Sequence, residues 1–488
     1  MMMNQRPYWK QVAFIRDESA RDYNILPPFD PPEIYCEIPF VNKTNKKNRI
    51  YPMVRSLLQN LGLDKRNIGT KQWNPFKDVA KPGNFVLIKP NLITHKHYLG
   101  NDALYSTVIH GSIIRPIIDY LYLAMNGHGT IVVADNPIVA TDFNLLMKFT
   151  GIQAMLDDLK NRGYGDLRTI DLRPKILKET QNGDFYYEHQ QGDPLGYVDI
   201  DLGSDSLFSE FDSKPNTRYY TLADPSVDHV NPKFRGKSET DGYHNPRNHI
   251  YTLSKSVLKS DLFINIAKMK THCKAGVTLL LKNVVGVVYG KECIPHWRQG
   301  LPPDGDAFPK YPPYFYIYLQ KLYAKLRKRI RIHQYRCFQE LRDALKRRNI
   351  IVGQYKHLEH GNWKGNDTIW RTILDLNRIL IYADKEGNMC DEPQRHFFGL
   401  IDGIIAQKGE GPMNGNPFVS SIIFGGFNPV VIDALAVKAM GISPHLIGSI
   451  SKAHLINKWN INPIGGFDIS MPEIDVPTFN FKLPKGWL

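Results

Sequence analysis

The feature that most constrains this chain is a strand–helix–strand pattern in its first third. Asn84-Phe-Val-Leu-Ile-Lys-Pro-Asn91 reads as a short buried strand running into a loop at Pro90. Ile109 to Met125 has helical periodicity, with Gly127 and Gly129 as stop signals. Thr130-Ile-Val-Val-Ala-Asp-Asn-Pro137 is a second buried strand that ends in a polar loop. Strand, helix and strand within about 50 residues make a βαβ unit, which needs a parallel sheet with right-handed crossovers. The expected fold is α/β: a mostly parallel or mixed sheet with helices on both faces, plus insertions.

The same alternation recurs along the chain. Helices are expected at Tyr51–Leu63, Phe143–Arg162, Asp367–Leu380 and from Pro429 to near Gly441. Strands are expected at Asp261–Ala267, at Phe397–Ile405 with a turn, and at Ser420–Gly426. Residues 1–50 read as an extended arm. Residues 51–290 are the first half of the core, with a polar insertion at 176–250. Residues 291–366 are a Pro-rich loop and a basic helical insertion, 367–470 the second half of the core, and 471–488 a surface tail.

The apolar share of 42% and charged share of 23% are those of a folded globular chain. They exclude a disordered tail protein, a collagen-like rod and a disulfide miniprotein. The net charge is +14. That points to acidic partners: nucleic acid, an anionic membrane face or anionic substrates. The excess is local, since Lys321–Arg348 holds eleven Lys and Arg against Glu340 and Asp343. An aromatic run, Tyr311-Pro-Pro-Tyr-Phe-Tyr-Ile-Tyr-Leu319, precedes it. Residues 311–348 therefore have three readings. They could form an interfacial membrane helix, a helix tracking nucleic-acid phosphates, or a solvated helix packing through Tyr318, Leu322 and Leu326.

The five cysteines, Cys36, Cys273, Cys293, Cys337 and Cys390, are scattered and form no CxxC pair. No iron–sulfur cluster is expected. The opening MMMNQRPYWKQ lacks the apolar core of a signal peptide, and no run of about 18 apolar residues occurs. The expected location is cytoplasmic, peripheral to a membrane only if the basic segment docks there.

Polar residues cluster where apolar strands end. They are Lys89 and Asn91 with His95, then Asp135 with Asn136, then Asn265 with Lys268, Lys270 and His272. Open α/β sheets bind ligands outside the carboxyl ends of their strands, so such side chains can converge. Three lysines there suit a phosphate or carboxylate; alone, each could simply cap a strand in water. Lys282 and Asn283 interrupt an otherwise apolar run, Val277 to Val288. Burying that lysine is costly unless it is paired or reaches a cavity, though it could also snorkel from a helix. His272, beside the lysines, is the candidate acid or base, and His296 is grouped with it. Asp402, Glu410 and Asp433 supply acids that could bind Mg²⁺ or Mn²⁺, and Asp402 and Glu410 could also move a proton.

The series Lys89-Pro-Asn-Leu92, Asn265-Ile-Ala-Lys-Met-Lys-Thr-His272 and Gly276-Val-Thr-Leu-Leu-Leu-Lys-Asn283 with Gly286 resembles a bacterial and archaeal family. Ile401-Asp-Gly-Ile-Ile405, Gly409-Glu-Gly-Pro412 and Asn428-Pro-Val-Val-Ile-Asp433 with Gly441 resemble it too. The family is known as domain of unknown function 362 (DUF362), and the likeness runs over roughly residues 84–450. Some members add a ferredoxin-like domain with cysteine-rich motifs, which this chain lacks.

The expected function is an enzyme acting on an anionic small molecule. Lys89, Lys268, Lys270 and Lys282 would hold the anion, while Asn91, Asn265 and Asn283 orient the substrate. Asp402, Glu410 and Asp433 would bind metal or move a proton. The alternatives are a membrane or nucleic-acid binding protein acting through 311–348, and a redox-associated protein.

Overall fold

The computed structural model describes residues 11–180, 185–214, 217–221, 239–310, 358–462 and 474–488. The basic segment 311–348, with its membrane and nucleic-acid readings, lies outside the described residues.

An eight-stranded mixed sheet forms the centre. Its strands are β1 (Val12–Arg16), β2 (Phe85–Pro90), β3 (Thr130–Asp135), β4 (Asp166–Asp171), β5 (Leu262–His272), β6 (Gly276–Thr278), β7 (His396–Glu410) and β8 (Asn414–Gly426). Their order is β1-β8-β7-β5-β2-β3-β4, with β6 folded back on β5. The run β7-β5-β2-β3-β4 is parallel. β8 and β1 add an antiparallel edge. The parallel strands are nearly continuous apolar runs because the sheet is covered, as parallel sheets require.

Chain order decides where a ligand can bind. From β2 the chain moves outward to β3 and β4, then returns to place β5 and β7 on the other side of β2. The direction of winding therefore reverses between β2 and β5. In open α/β sheets, the crevice at the carboxyl ends of such a pair is the ligand site. Lys89 lies near the end of β2, and Lys268, Lys270 and His272 lie on the last residues of β5.

Several helices pack on this sheet. The first two are α1 (Ile50–Asn60) and α2 (Gly111–Ala124). The helix expected at Phe143–Arg162 is broken into α3 (Phe143–Phe149) and α4 (Ile152–Asn161). Gly151 between them is left-handed (φ +69°), and a Cβ there would strike the Phe29 ring. The others are α5 (Leu280–Asn283), α6 (Ile369–Tyr382) and α7 (Pro429–Ala439). Asn428 caps α7 by accepting from Val430 and Val431 N–H. No helix among the described residues is long and apolar enough to cross a membrane.

Three local expectations change. Asp402 lies inside β7 rather than at a strand end, because Gly403 marks a register shift and not a turn. The arm before residue 50 is tied down: β1 pairs with β8, and Arg115 of α2 binds Pro28 O (2.7 Å) and Asp30 (3.1 Å). Residues 474–488 are docked rather than a loose surface tail, with Phe481 and Trp487 buried. Within the polar insertion, Lys175–Glu179 pairs with Phe185–His189, and Tyr197–Asp201 with Asn248–Ser254.

Candidate functional site

The lysines gathered here fall into two classes; Lys89, Lys268, Lys270 and Lys274 are buried, and Lys282 and Lys291 half-buried. Lys89 and Lys268 have carboxylate partners. Lys89 Nζ pairs with Asp135 at 2.7 Å and donates to Asn283 Oδ1 at 3.1 Å. Lys268 Nζ pairs with Asp402 at 2.8 Å and donates to the Tyr23 hydroxyl at 2.7 Å. Lys268 and Asp402 are register partners on β5 and β7, so the parallel ladder itself sets this contact. Tyr23, carried in by the arm, donates to both Asp402 oxygens at 2.6 Å. Burial and then Asp402 hold its hydroxyl well above the usual range, so it stays protonated. Its ring stacks on His110 at 4.9 Å, whose imidazole is pushed down to about 3 by burial and by Lys268.

The second class has no carboxylate partner among the described residues. Lys270 is fully buried and, among the described residues, donates to Thr107 O at 2.7 Å. Burial, then Lys268 and Lys282, push its ammonium well below its ordinary value. Lys282 is half-buried and has no hydrogen-bond or ion-pair partner among the described residues. Burial lowers it to about 7, with Lys291 and Lys274 pushing the same way against Cys273. Lys274 donates to His360 O and is lowered to about 8 by burial. Lys291 reaches Asn136 O and Val285 O at 3.4 Å, and burial lowers it to about 8 as well. Unpaired cations gathered this way are costly in an empty protein.

Asparagines fix the floor. Asn283, at the end of α5, donates to Asn265 Oδ1 (2.8 Å) and accepts from Asn91 (2.9 Å) and Lys89. Asn265 donates in turn to Leu280 O at 2.9 Å. Asn91 Oδ1 is buried without a partner among the described residues. Gly286 closes the side. A Cβ there would come within 2.7 Å of Lys89 Nζ and closer still to Asp135 Oδ1. Gly286→Ala is therefore expected to cost about 1–3 kcal/mol by overpacking. A urea midpoint unchanged from wild type would contradict this packing.

Two histidines complete the cluster. His272 Nδ1 accepts from Lys274 and Ala275 N–H at 3.0 and 3.3 Å, which assigns the proton to Nε2. Burial and Lys282 keep it neutral. The neutral ring presents its Nε2–H as a hydrogen-bond donor. His296 is the reverse. Its Nδ1 faces Ile294 O at 3.1 Å, so Nε2 carries the lone pair, and that atom is buried without a partner among the described residues. Burial and Lys282 also hold it well below the ordinary range.

The three candidate metal-binding acids are not brought together. Asp402 faces Lys268. Glu410 accepts from Lys485 N–H at 2.8 Å. Asp433 accepts from Leu280 and Leu281 N–H at 2.8 and 2.9 Å, anchoring α5, while burial raises its carboxyl to about 8. Among the described residues, no group of three His, Cys, Asp or Glu could hold a metal. A metal bound jointly by these acids does not fit this placement.

Tyr23, Lys274 and Lys291 are cluster residues that strand-end reasoning misses. Tyr23 comes from an aperiodic arm, and both lysines sit in loops. Their one sequence signal is proximity to Lys270 and Lys282. A surface cleft lined by Lys81, Asn84, Asp261 and His396 lies at the opposite, amino end of the strands. It shares none of these residues.

The model of the family described as "Domain of unknown function (DUF362)" matches residues 224–438. Over this segment, less than half of the chain, the sequence is similar to that family. The segment carries Asn265, Lys268, Lys270, His272, Lys282, Asn283, Asp402, Glu410 and Asp433. Lys89, Asn91, Asp135 and Tyr23 lie before it, so the match is narrower than the resemblance over residues 84–450. The cluster thus joins the matched segment to the preceding βαβ unit. No curated protein and no solved structure matches the chain significantly.

Proposed function

We propose that this protein is a cytoplasmic enzyme acting on a small molecule that carries a phosphate or carboxylate. The observation that carries the reading is the second lysine class. Lys270, Lys274, Lys282 and Lys291 are gathered at the switch point, and no described carboxylate pairs with them. A buried cation retained without a counter-ion lowers stability and is expected where a ligand supplies the charge. Lys89 and Lys268 are already neutralised by Asp135 and Asp402, and serve chiefly to position the strand ends. Asn91 and Asn283 would orient the ligand, with the free Asn91 Oδ1 accepting a hydrogen bond from it. His272 would donate through Nε2, and His296 Nε2 would accept a hydrogen bond.

The test is thermal unfolding with inorganic phosphate, pyrophosphate or citrate, against chloride at equal ionic strength. Saturating anion at about 100 times Kd is expected to add about 2.7 kcal/mol. Lys282→Ala is expected to weaken that binding at least tenfold. Equal melting temperatures in every anion, or full affinity in Lys282→Ala, would overturn the reading.

A further inference from the structure

We propose that Lys282 reacts covalently, its amine condensing with the carbonyl carbon of a phosphorylated aldehyde or ketone, or of a 2-oxo acid, to form an imine. The inference rests on the anion site described above and adds a reaction to it.

Lys282 differs from every other lysine of the cluster. Lys89 and Lys268 are ion-paired, and Lys270, Lys274 and Lys291 donate to backbone carbonyls. Lys282 Nζ has no acceptor among the described residues, and its side chain is partly open to solvent. Its stem is nonetheless held. Asp433 fixes the start of α5, and Asn283 is bonded to Asn265, Asn91 and Lys89.

The charges facing Lys282 come from several elements: Lys291 and Lys274 from loops, Lys89 from β2 and the Cys273 thiol. The three lysines favour loss of its proton, and only Cys273 opposes. With a value of about 7, a substantial share of the amine is free base at neutral pH. That is about a thousandfold more than for an ordinary lysine. An amine beside other cations in a partly desolvated site is an activated nucleophile. The same cations would hold the substrate's phosphate or carboxylate.

The step balances without a co-reactant. The Nζ lone pair attacks the carbonyl carbon, and a C–N bond forms as the C=O π bond opens to a carbinolamine. One nitrogen proton passes, through water at the partly exposed Lys282, to the former carbonyl oxygen and gives the neutral carbinolamine. The carbinolamine oxygen, protonated in turn, leaves as water and the C=N bond closes.

Pyridoxal 5′-phosphate is the probe, with borohydride to reduce the imine and peptide mapping to locate it. Modification at Lys282 at pH 7 is expected at least tenfold faster than at any other lysine. Inorganic phosphate should suppress it, and Lys282→Arg should abolish it. If that variant does not fold, mapping in the wild-type chain decides alone. Labelling spread over many lysines, or centred on another one, while phosphate still binds would overturn the imine and leave the anion site standing. Absence of both phosphate binding and selective labelling would overturn both.

Discussion

Lys268→Met and Lys270→Met, two residues apart on one buried strand, are expected to shift stability in opposite directions. Removing Lys268 strands Asp402, which then keeps only Tyr23 and the Ile404 N–H as donors. Breaking a buried pair from one side costs about 3–5 kcal/mol. Removing Lys270 deletes a cation that no described carboxylate balances and gives up one bond to Thr107 O. Relieving a functional site of that kind typically raises stability by about 0.5–2 kcal/mol. Denaturant unfolding of both variants measures the contrast. If Lys270→Met proved as destabilised as Lys268→Met, Lys270 would be a structural residue and the anion site would lose its centre.

The second large effect is on pH dependence. In the ligand-free protein Lys282 is held near 7, and Lys274 and Lys291 near 8. A bound anion favours their charged forms and raises all three. Well below pH 7 these three lysines are protonated with or without ligand and add no pH dependence to affinity there. From about pH 7 toward pH 10 the free protein loses protons that the complex retains. Binding must then take up protons, and affinity falls by up to about tenfold per pH unit for each coupled lysine. Stability of the empty protein runs the other way. Folded-state values lie below the unfolded lysine value, so the unfolded chain binds more protons in this window. Stability therefore rises with pH as the penalty for burying charge is relieved. Opposite trends in stability and affinity over one pH window would be hard to produce with surface charge alone.

Much of this was readable before the structure because parallel strands are buried on both faces. Val86–Ile88, Ile131–Ala134 and Phe263–Ile266 are short apolar runs whose polar ends stand out. Lys89, Lys268, Lys270, Asn265 and Asn283 were visible for that reason. Asp402 was misplaced to a strand end because a glycine at a register shift looks like a turn glycine in sequence. Tyr23 was invisible because its arm has no period; tertiary pairing of β1 with β8 brings it in. The docking of Phe481 and Trp487 was hidden by the prolines around them. Nothing in sequence spacing separates Lys268, which has a carboxylate, from Lys270, which does not. That distinction depends on the register that sets Asp402 beside the first and Gln407 beside the second.

The central claim is that the lysines unpaired by carboxylate hold an anion, and isothermal titration with pyrophosphate at pH 8 tests it most directly. Run in two buffers of different ionisation enthalpy, it reads the protons taken up on binding. The account predicts measurable binding with net proton uptake at pH 8, smaller at pH 6, and loss of binding in Lys270→Met. Binding with no proton uptake, or equal affinity in wild type and Lys270→Met, would contradict it.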